Sequence, residues 1–270
     1  MRRAQLAIGV ALVGLVVAAA LLSLAWTPFD PGALTFPRLL PPGWPTVLGT
    51  DRYGRDVASR LLAGAQVCLY VGIVSVGLAA LAGVPLGILA AGLKGRAGDA
   101  LLRAADVAQA FPALLLAILL AGVLGPSTSS AMIAIGLASV PQFLRVARAA
   151  SLVVLASDFV LAARGCGTSR WGIARSHVLP NIAPVVGVQA SVSFAMAILA
   201  EAALSYLGLG TKPTTPSWGV MLREAQNVWF ADPLQAVWPG VAIALAVLGF
   251  NLLGDGLRDH LDPRLREELP

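Results

Sequence analysis

Few residues in this chain are of types that do chemistry, and most of them stand alone. Glu201 is the only acid set deep in an apolar run, MAILAEAALSYLGLG. A carboxylate there could carry a proton or cation across a membrane, or bond to polar neighbours at the outer end of a span. His177 and His260 lie far apart with no carboxylate-rich spacing around them, so neither builds a zinc site. Cys68 sits in an apolar run and Cys166 in a polar one, at different levels of any membrane topology, so no disulfide is expected between them. The lysines are Lys94 and Lys212, and neither ends a G-x-x-x-x-G-K-[ST] string, so the chain has no loop to cradle ATP phosphates. H-E-x-x-H, C-x-x-C and G-x-S-x-G are absent as well, which removes the usual metal-hydrolase, dithiol and serine-nucleophile chemistries. The chain therefore reads as a non-enzyme with no cofactor or metal of its own. What remains is a cationic island, DFVLAARGCGTSRWGIARSHVLPN, where Arg164, Arg170 and Arg175 face the single acid Asp158. Two short helical pieces hinged at Gly165-Cys166-Gly167 suit docking into a partner's cleft. The second piece, Ser169 to Val178, is expected to end before Pro180, which biases the preceding residue away from helix.

The elements that hold this island are membrane spans. Of 270 residues, 57% are hydrophobic and 12% charged, with a mean hydropathy of +0.80, too apolar for an average soluble domain. The net charge of +5 does not point to nucleic acid, because no dense basic block with interleaved aromatics occurs. The composition predicts an all-α polytopic membrane protein with six transmembrane helices. A first span covers 4–26, followed by a proline-loaded loop, 27–49, that cannot be helical. An amphipathic lead-in over 51–62 is expected to lie along the surface before a second span at 67–92. There Gly83 and Gly87 flank Pro85 at a spacing that lets helices approach closely. The apolar run 107–144, broken by Gly125-Pro126-Ser127-Thr128, predicts a helical hairpin with probable kinks at Pro112 and Pro141. Fifth and sixth spans are expected at 182–207 and 234–253, joined by an aromatic-bearing segment at 208–232. This gives three regions: 1–66, with the first helix, loop and lead-in; 67–254, a five-helix core containing the island at 158–181; and the tail 255–270.

Basic residues set the orientation. Arg2, Arg3, the 94–103 turn, the 145–175 region and the tail fall on one side, where they outnumber Arg38, Arg52, Arg55, Arg60, Lys212 and Arg223 on the other. Positive-inside bias puts both termini and the island in the cytoplasm of an inner-membrane protein.

The island resembles the cytoplasmic loop of ABC-importer permeases, whose pattern is Glu-Ala-Ala, then glycine, isoleucine and Leu-Pro. The matching residues are Leu161-Ala162-Ala163, Gly167, Ile173 and Leu179-Pro180, with Leu161 standing where the family usually has glutamate. LGTDRYGRDVASRLLAG, EAALSYLGLGTKPTTPSWGVML and NLLGDGLRDHLDPRLR narrow the resemblance to dipeptide/oligopeptide-type permeases of the C-type subunit. The resemblance implies the type I ABC-importer permease fold. It also implies a second permease subunit, two partner ATPase subunits or domains that bind ATP and magnesium, and an extracytoplasmic binding protein that delivers peptide. On this reading Ala162, Ala163, Arg164, Gly167, Arg170, Ile173, Leu179 and Pro180 form the ATPase-coupling loop. Gln189, Ser193, Met196 and Glu201, on the fifth span, are candidates for the translocation path. Two other readings stay open: an ion-coupled secondary transporter that uses Glu201, and ABC import of nickel or metal chelates.

Overall fold

The computed structural model describes residues 2–93 and 96–261, and among them the regular structure is helix, with one isolated bridge between Thr50 and Asp56 and irregular loops over 26–56 and 208–217. Long helices follow the apolar runs because an unbroken helix satisfies every backbone polar group where no water can. They are α1 (Arg2–Ala25), α2 (Val57–Gly92), α5 (Thr128–Leu155), α8 (Leu179–Leu207) and α10 (Leu234–Leu261). Between them come α3 (Arg96–Ala110), α4 (Ala113–Leu124), the island helices α6 (Asp158–Gly165) and α7 (Arg170–Ile173), and α9 (Trp218–Gln226). Five helices are long and apolar enough to cross a membrane, or six if the bent pair α3 and α4 makes one span. Lys94 of the expected polar turn and tail residues 262–270 lie outside the described residues.

The structure differs from the expectation in three places. The predicted hairpin arm starting at Val107 is not one helix: α3 and α4 meet at an angle of 80°. Phe111-Pro112 causes the break, since Pro112 offers no N–H and sits with extended ψ just ahead of α4. α3 is instead a charged helix whose Asp106 pairs with Arg145 at 2.5 Å and whose Asp99 reaches Arg148 at 3.5 Å, both on α5. The turn after α4 is as read, and Ser127 and Ser130 close it with a reciprocal capping box.

The second difference concerns the lead-in at 51–62, which does not lie on the surface. Val57 onward is already α2, N-capped by Asp56, and Ser59 and Arg60 are fully buried. A guanidinium can be buried there because Arg60 is held by Asp51 and by Glu224 of α9, the latter at 2.9 Å. Arg55 bridges the same two acids at 2.6 and 2.7 Å, so four charges tie the loop, α2 and α9 into one cap. Gln235 of α10 joins it by donating to the Thr50 carbonyl at 3.0 Å.

Third, the helix is not interrupted before Pro180. Leu179 is helical, with φ −55° and ψ −46°, and one π turn, Ala174–Val178, links α7 to α8. The Leu179 N–H reaches back five residues to the Ala174 carbonyl, a wider turn that accommodates the ring of Pro180 within continuous helix.

Packing centres on α2 and α5, which run against one another along much of their length, while α1 pairs with α10 and α8 lies between α10 and α5. The α2–α5 crossing is a backbone contact. A Cβ on Gly83 would stand 2.6 Å from the Phe143 Cβ and 2.7 Å from the Val140 carbonyl oxygen. One on Gly87 would stand 2.5 Å from the Leu144 carbonyl oxygen and 2.7 Å from the Ala147 Cβ. Even one methyl group must therefore force the helices apart, at about 1–3 kcal/mol. Gly87→Ala is expected to lower the thermal midpoint of the detergent-purified protein, whereas Gly77→Ala, with nothing within 4 Å of its new Cβ, is expected to leave it unchanged. Equal midpoints for the two variants would contradict the close crossing.

Candidate functional site

The island has an exposed crest and a buried keel. α6 ends at Gly165, and Gly167 takes φ +82°, where a side chain is strained. The chain turns there with Thr168 N–H bonded to the Ala163 carbonyl and Gly167 N–H to that of Arg164, both at 3.0 Å. Ser169 restarts the helix by accepting from Gly172 N–H at 3.1 Å. This hairpin leaves Leu161, Ala162, Arg164, Gly167 and Arg170 exposed, Ala163 half-buried, and the ring of Trp171 76% exposed. Among the described residues, Arg164, Arg170 and Arg175 make no ion pair, so three cations stand on this surface without an acid of their own chain.

The keel faces the other way. Val160, Ile173, Val178 and Ile182 are all buried in one cluster with Val76, Ala79 and Val84 of α2 and Phe143 and Ala147 of α5. The predicted coupling-loop residues thus divide. Ile173 faces the core and fixes the island to the α2–α5 crossing, Leu179 and Pro180 are exposed within the helix that leaves it, and the rest form the crest. His177 packs beside the Phe159 ring, with centroids 6.1 Å apart, which fits a residue that shapes the loop. Sequence reasoning passed over Trp171. The signal was an aromatic side chain between Arg170 and Arg175 in a stretch with few other apolar residues. It also passed over Val160 and Val178, whose spacing from Ile173 follows no α-helical stripe.

The four candidates on α8 are not brought together. Gln189 donates to Ser193 at 3.0 Å, with Ser193 buried and Met196 60% exposed. Glu201 lies twelve residues beyond Gln189, or about 120° round the helix at 100° per residue. It is 4% exposed and belongs to another structure. Its Oε1 accepts from Ser205 Oγ at 2.7 Å and Thr211 Oγ1 at 3.0 Å, while Ser205 Oγ accepts from Thr211 N–H at 2.9 Å. Thr128 at the start of α5 bonds to Thr211 at 3.2 Å. The carboxylate pins the chain where α8 turns at Gly208 into the segment leading to α9, and holds that elbow against α5. Among the described residues no group of His, Cys, Asp or Glu could hold a metal ion, and Cys68 and Cys166 are free thiols.

The described residues form a bundle of long apolar helices that carries the island's crest on a buried keel. Its backbone is similar to that of a chain in the MetNI methionine ABC transporter, solved in inward-facing conformations, with a TM-score of 0.61 over 75% of this chain and 97% of that one at 16% identity. The fold of that chain is thereby shared. Residues 83–267 match the family described as binding-protein-dependent transport system inner membrane component, and this chain belongs to that family. Across 93% of its length it is 42% identical to the di/tripeptide transport system permease protein DppC of Pseudomonas aeruginosa, covering 86% of that protein. Over 95% of its length it is 37% identical to the nickel transport system permease protein NikC of Escherichia coli, covering 93% of that protein. The resemblance to dipeptide/oligopeptide-type permeases holds along nearly the whole chain.

Removing the elbow's acceptor tests its role. Glu201→Gln keeps an acceptor oxygen for Ser205 and Thr211, and is expected to stay within a few degrees of the original thermal midpoint. Glu201→Leu strands two buried hydroxyls, at about 1–3 kcal/mol each, and is expected to melt well below both. If Gln and Leu are equally harmful, the charge itself matters and the elbow reading fails.

Proposed function

We propose that this chain is one permease subunit of an ATP-driven ABC importer for di- or oligopeptides in the inner membrane, with both termini and the island in the cytoplasm. A second permease subunit completes the path, two ATPase subunits or domains receive the island, and an extracytoplasmic binding protein delivers substrate. The observation that carries this reading is the island: exposed arginines and Trp171 on the crest, Ile173 and its neighbours in the α2–α5 core. A body built this way can take a push from outside the bilayer and pass it to the crossing of the two central helices. The coupling residues are Ala162, Ala163, Arg164, Gly167, Arg170, Ile173, Leu179 and Pro180, with Trp171 added. Gln189, Ser193 and Met196 are retained as candidates for the path.

Peptide is preferred as substrate because the Pseudomonas aeruginosa relative is a di/tripeptide permease. The similarity to a nickel permease keeps metal chelates as the second reading. An ion-coupled carrier is disfavoured, because Oε1 of Glu201 is occupied by Ser205 and Thr211.

Two experiments test the proposal. In a Cys68→Ser background, a membrane-impermeant maleimide is expected to modify the exposed Cys166 in inside-out vesicles and not in intact cells. Labelling from outside would reverse the topology. Gly167→Val forces a branched side chain into φ +82° on the crest, with open space around it and no core contact to lose. The variant is expected to insert normally and to lose the ATPases on purification, or to keep them with hydrolysis no longer stimulated by substrate. Wild-type association and stimulation in that variant would remove the island from the coupling role.

A further inference from the structure

The keel residues keep an unusual spacing. Val178 and Ile182 are four apart and face one core, as a regular helix allows, but Ile173 is five before Val178 and is buried in the same cluster. In an α-helix five residues advance about 500°, which would set Ile173 about 140° away from Val178 and turn it out of the core. A π turn, bonded i to i+5, winds more slowly, so Ile173 and Val178 fall near the same side. The turn occupies the intervening Ala174–Val178, with the Leu179 N–H on the Ala174 carbonyl.

Two side chains hold the turn open. Pro180 brings no N–H and a ring that crowds the carbonyl four residues back, which disfavours the narrower α turn. Asn181 Nδ2 donates to the His177 carbonyl at 2.6 Å, a side-chain bond that ties the start of α8 to the turn. The Phe159 ring against His177 couples the same turn to α6.

Resting on the permease reading, we infer that Pro180 and Asn181 are positioning residues that set the phase of the island on α8, and that this π turn is a joint with two settings. In the π setting Ile173 is seated and the crest points as described. Conversion to an α turn rotates everything before it by about 100° around the axis of α8 and withdraws Ile173 from the α2–α5 core. A push on the crest is thereby converted into seating or release of the keel. The packed core admits discrete arrangements rather than a continuous range, which suits a joint of this kind.

The test uses the whole complex of this chain, its partner permease and the ATPases, in lipid nanodiscs. In a Cys68→Ser background, spin labels go on the native Cys166 and on Val192→Cys, an exposed site of α8. Pulsed electron resonance then compares the nucleotide-free and ATP-vanadate states. Two distance populations are expected, displaced by roughly 5–8 Å for a group turned about 100° at helix radius, with nucleotide changing their ratio. Deleting Ser176 together with Pro180→Ala brings Ile173 and Val178 to the four-residue spacing of a plain α-helix, which seats the keel without the joint. That variant is expected to give one population in both states. Asn181→Leu is expected to shift the nucleotide-free ratio, and Asn181→Ser, which can still donate to the carbonyl four residues back, to restore it. A wild-type complex that keeps its ATPases yet shows one unmoved distance would overturn the joint alone, as would two populations in the deletion variant. Absence of the ATPases from the wild-type preparation would overturn the permease reading itself.

Discussion

The end of the bundle that carries the island depends on two helix backbones touching. In lipid the apolar effect gives helices little reason to associate, so close van der Waals contact and interhelical hydrogen bonds must hold them. Gly83 and Gly87 let α2 meet α5 at Val140, Phe143 and Leu144 with no side chain between. Pro85 stands between those glycines and Pro141 beside Val140, so both helices carry their proline at the contact. A proline removes one helical hydrogen bond and so makes its helix easier to bend at that level. The keel of the island, Val160, Ile173, Val178 and Ile182, is seated just beyond, against Val84, Phe143 and Ala147. A backbone-to-backbone contact between the two helices is therefore also the one that the island touches.

The opposite end is held by different physics. The cap over α2 is fastened by charge: Arg55 and Arg60 between Asp51 and Glu224, with Arg60 only 1% exposed. Buried ion pairs add little stability over apolar packing, but they are costly to break one partner at a time, and they specify which pieces go together. Here they join a proline-rich loop that could not hold itself, the first turns of α2, and the short helix α9. Trp218 of α9 completes the fastening by donating its indole N–H to the Leu61 carbonyl at 2.9 Å and filling the space beside Gly64. The bundle thus has one charge-locked end and, at the other, an apolar cluster seated against the α2–α5 crossing.

How much of this could be read from the residues depended on the range of the interaction concerned. Apolar runs announce spans because hydrocarbon leaves a backbone no alternative, and the Gly165-Cys166-Gly167 cluster announced the end of α6 because φ +82° at Gly167 is a local requirement. The glycine pair in α2 was legible as a close approach, though not its partner on α5. Phe111-Pro112 was legible as a kink but not as an 80° bend, since direction after a break is set by what the two pieces pack on, here Arg145 and Arg148 of α5. The cap escaped notice because Arg60 and Glu224 are remote in sequence and only tertiary pairing shows that a buried guanidinium has company. The π turn escaped because Pro180 reads as a helix stop, and the five-residue interval from Ile173 to Val178 does not fit 3.6 residues per turn.

Glu201 shows why a lone intramembrane acid has to be judged by its partners rather than by its rarity. Rarity marks such a residue as functional by default, because an unpartnered carboxylate in hydrocarbon is expensive. The expense disappears when the chain supplies donors, and here Ser205, one turn along the same helix, and Thr211, beyond the elbow, both do so. Thr211 in turn touches Thr128 at the start of α5, so the carboxylate connects α8 to the N-terminal end of the same helix whose Phe143 and Ala147 receive the keel. A carrier needs a site that can lose its partners cheaply on each cycle. A site whose partners also fix the turn from α8 toward α9 would have to dismantle that turn to release an ion, and the geometry therefore assigns Glu201 to holding α8 and α5 in register at the end opposite the island.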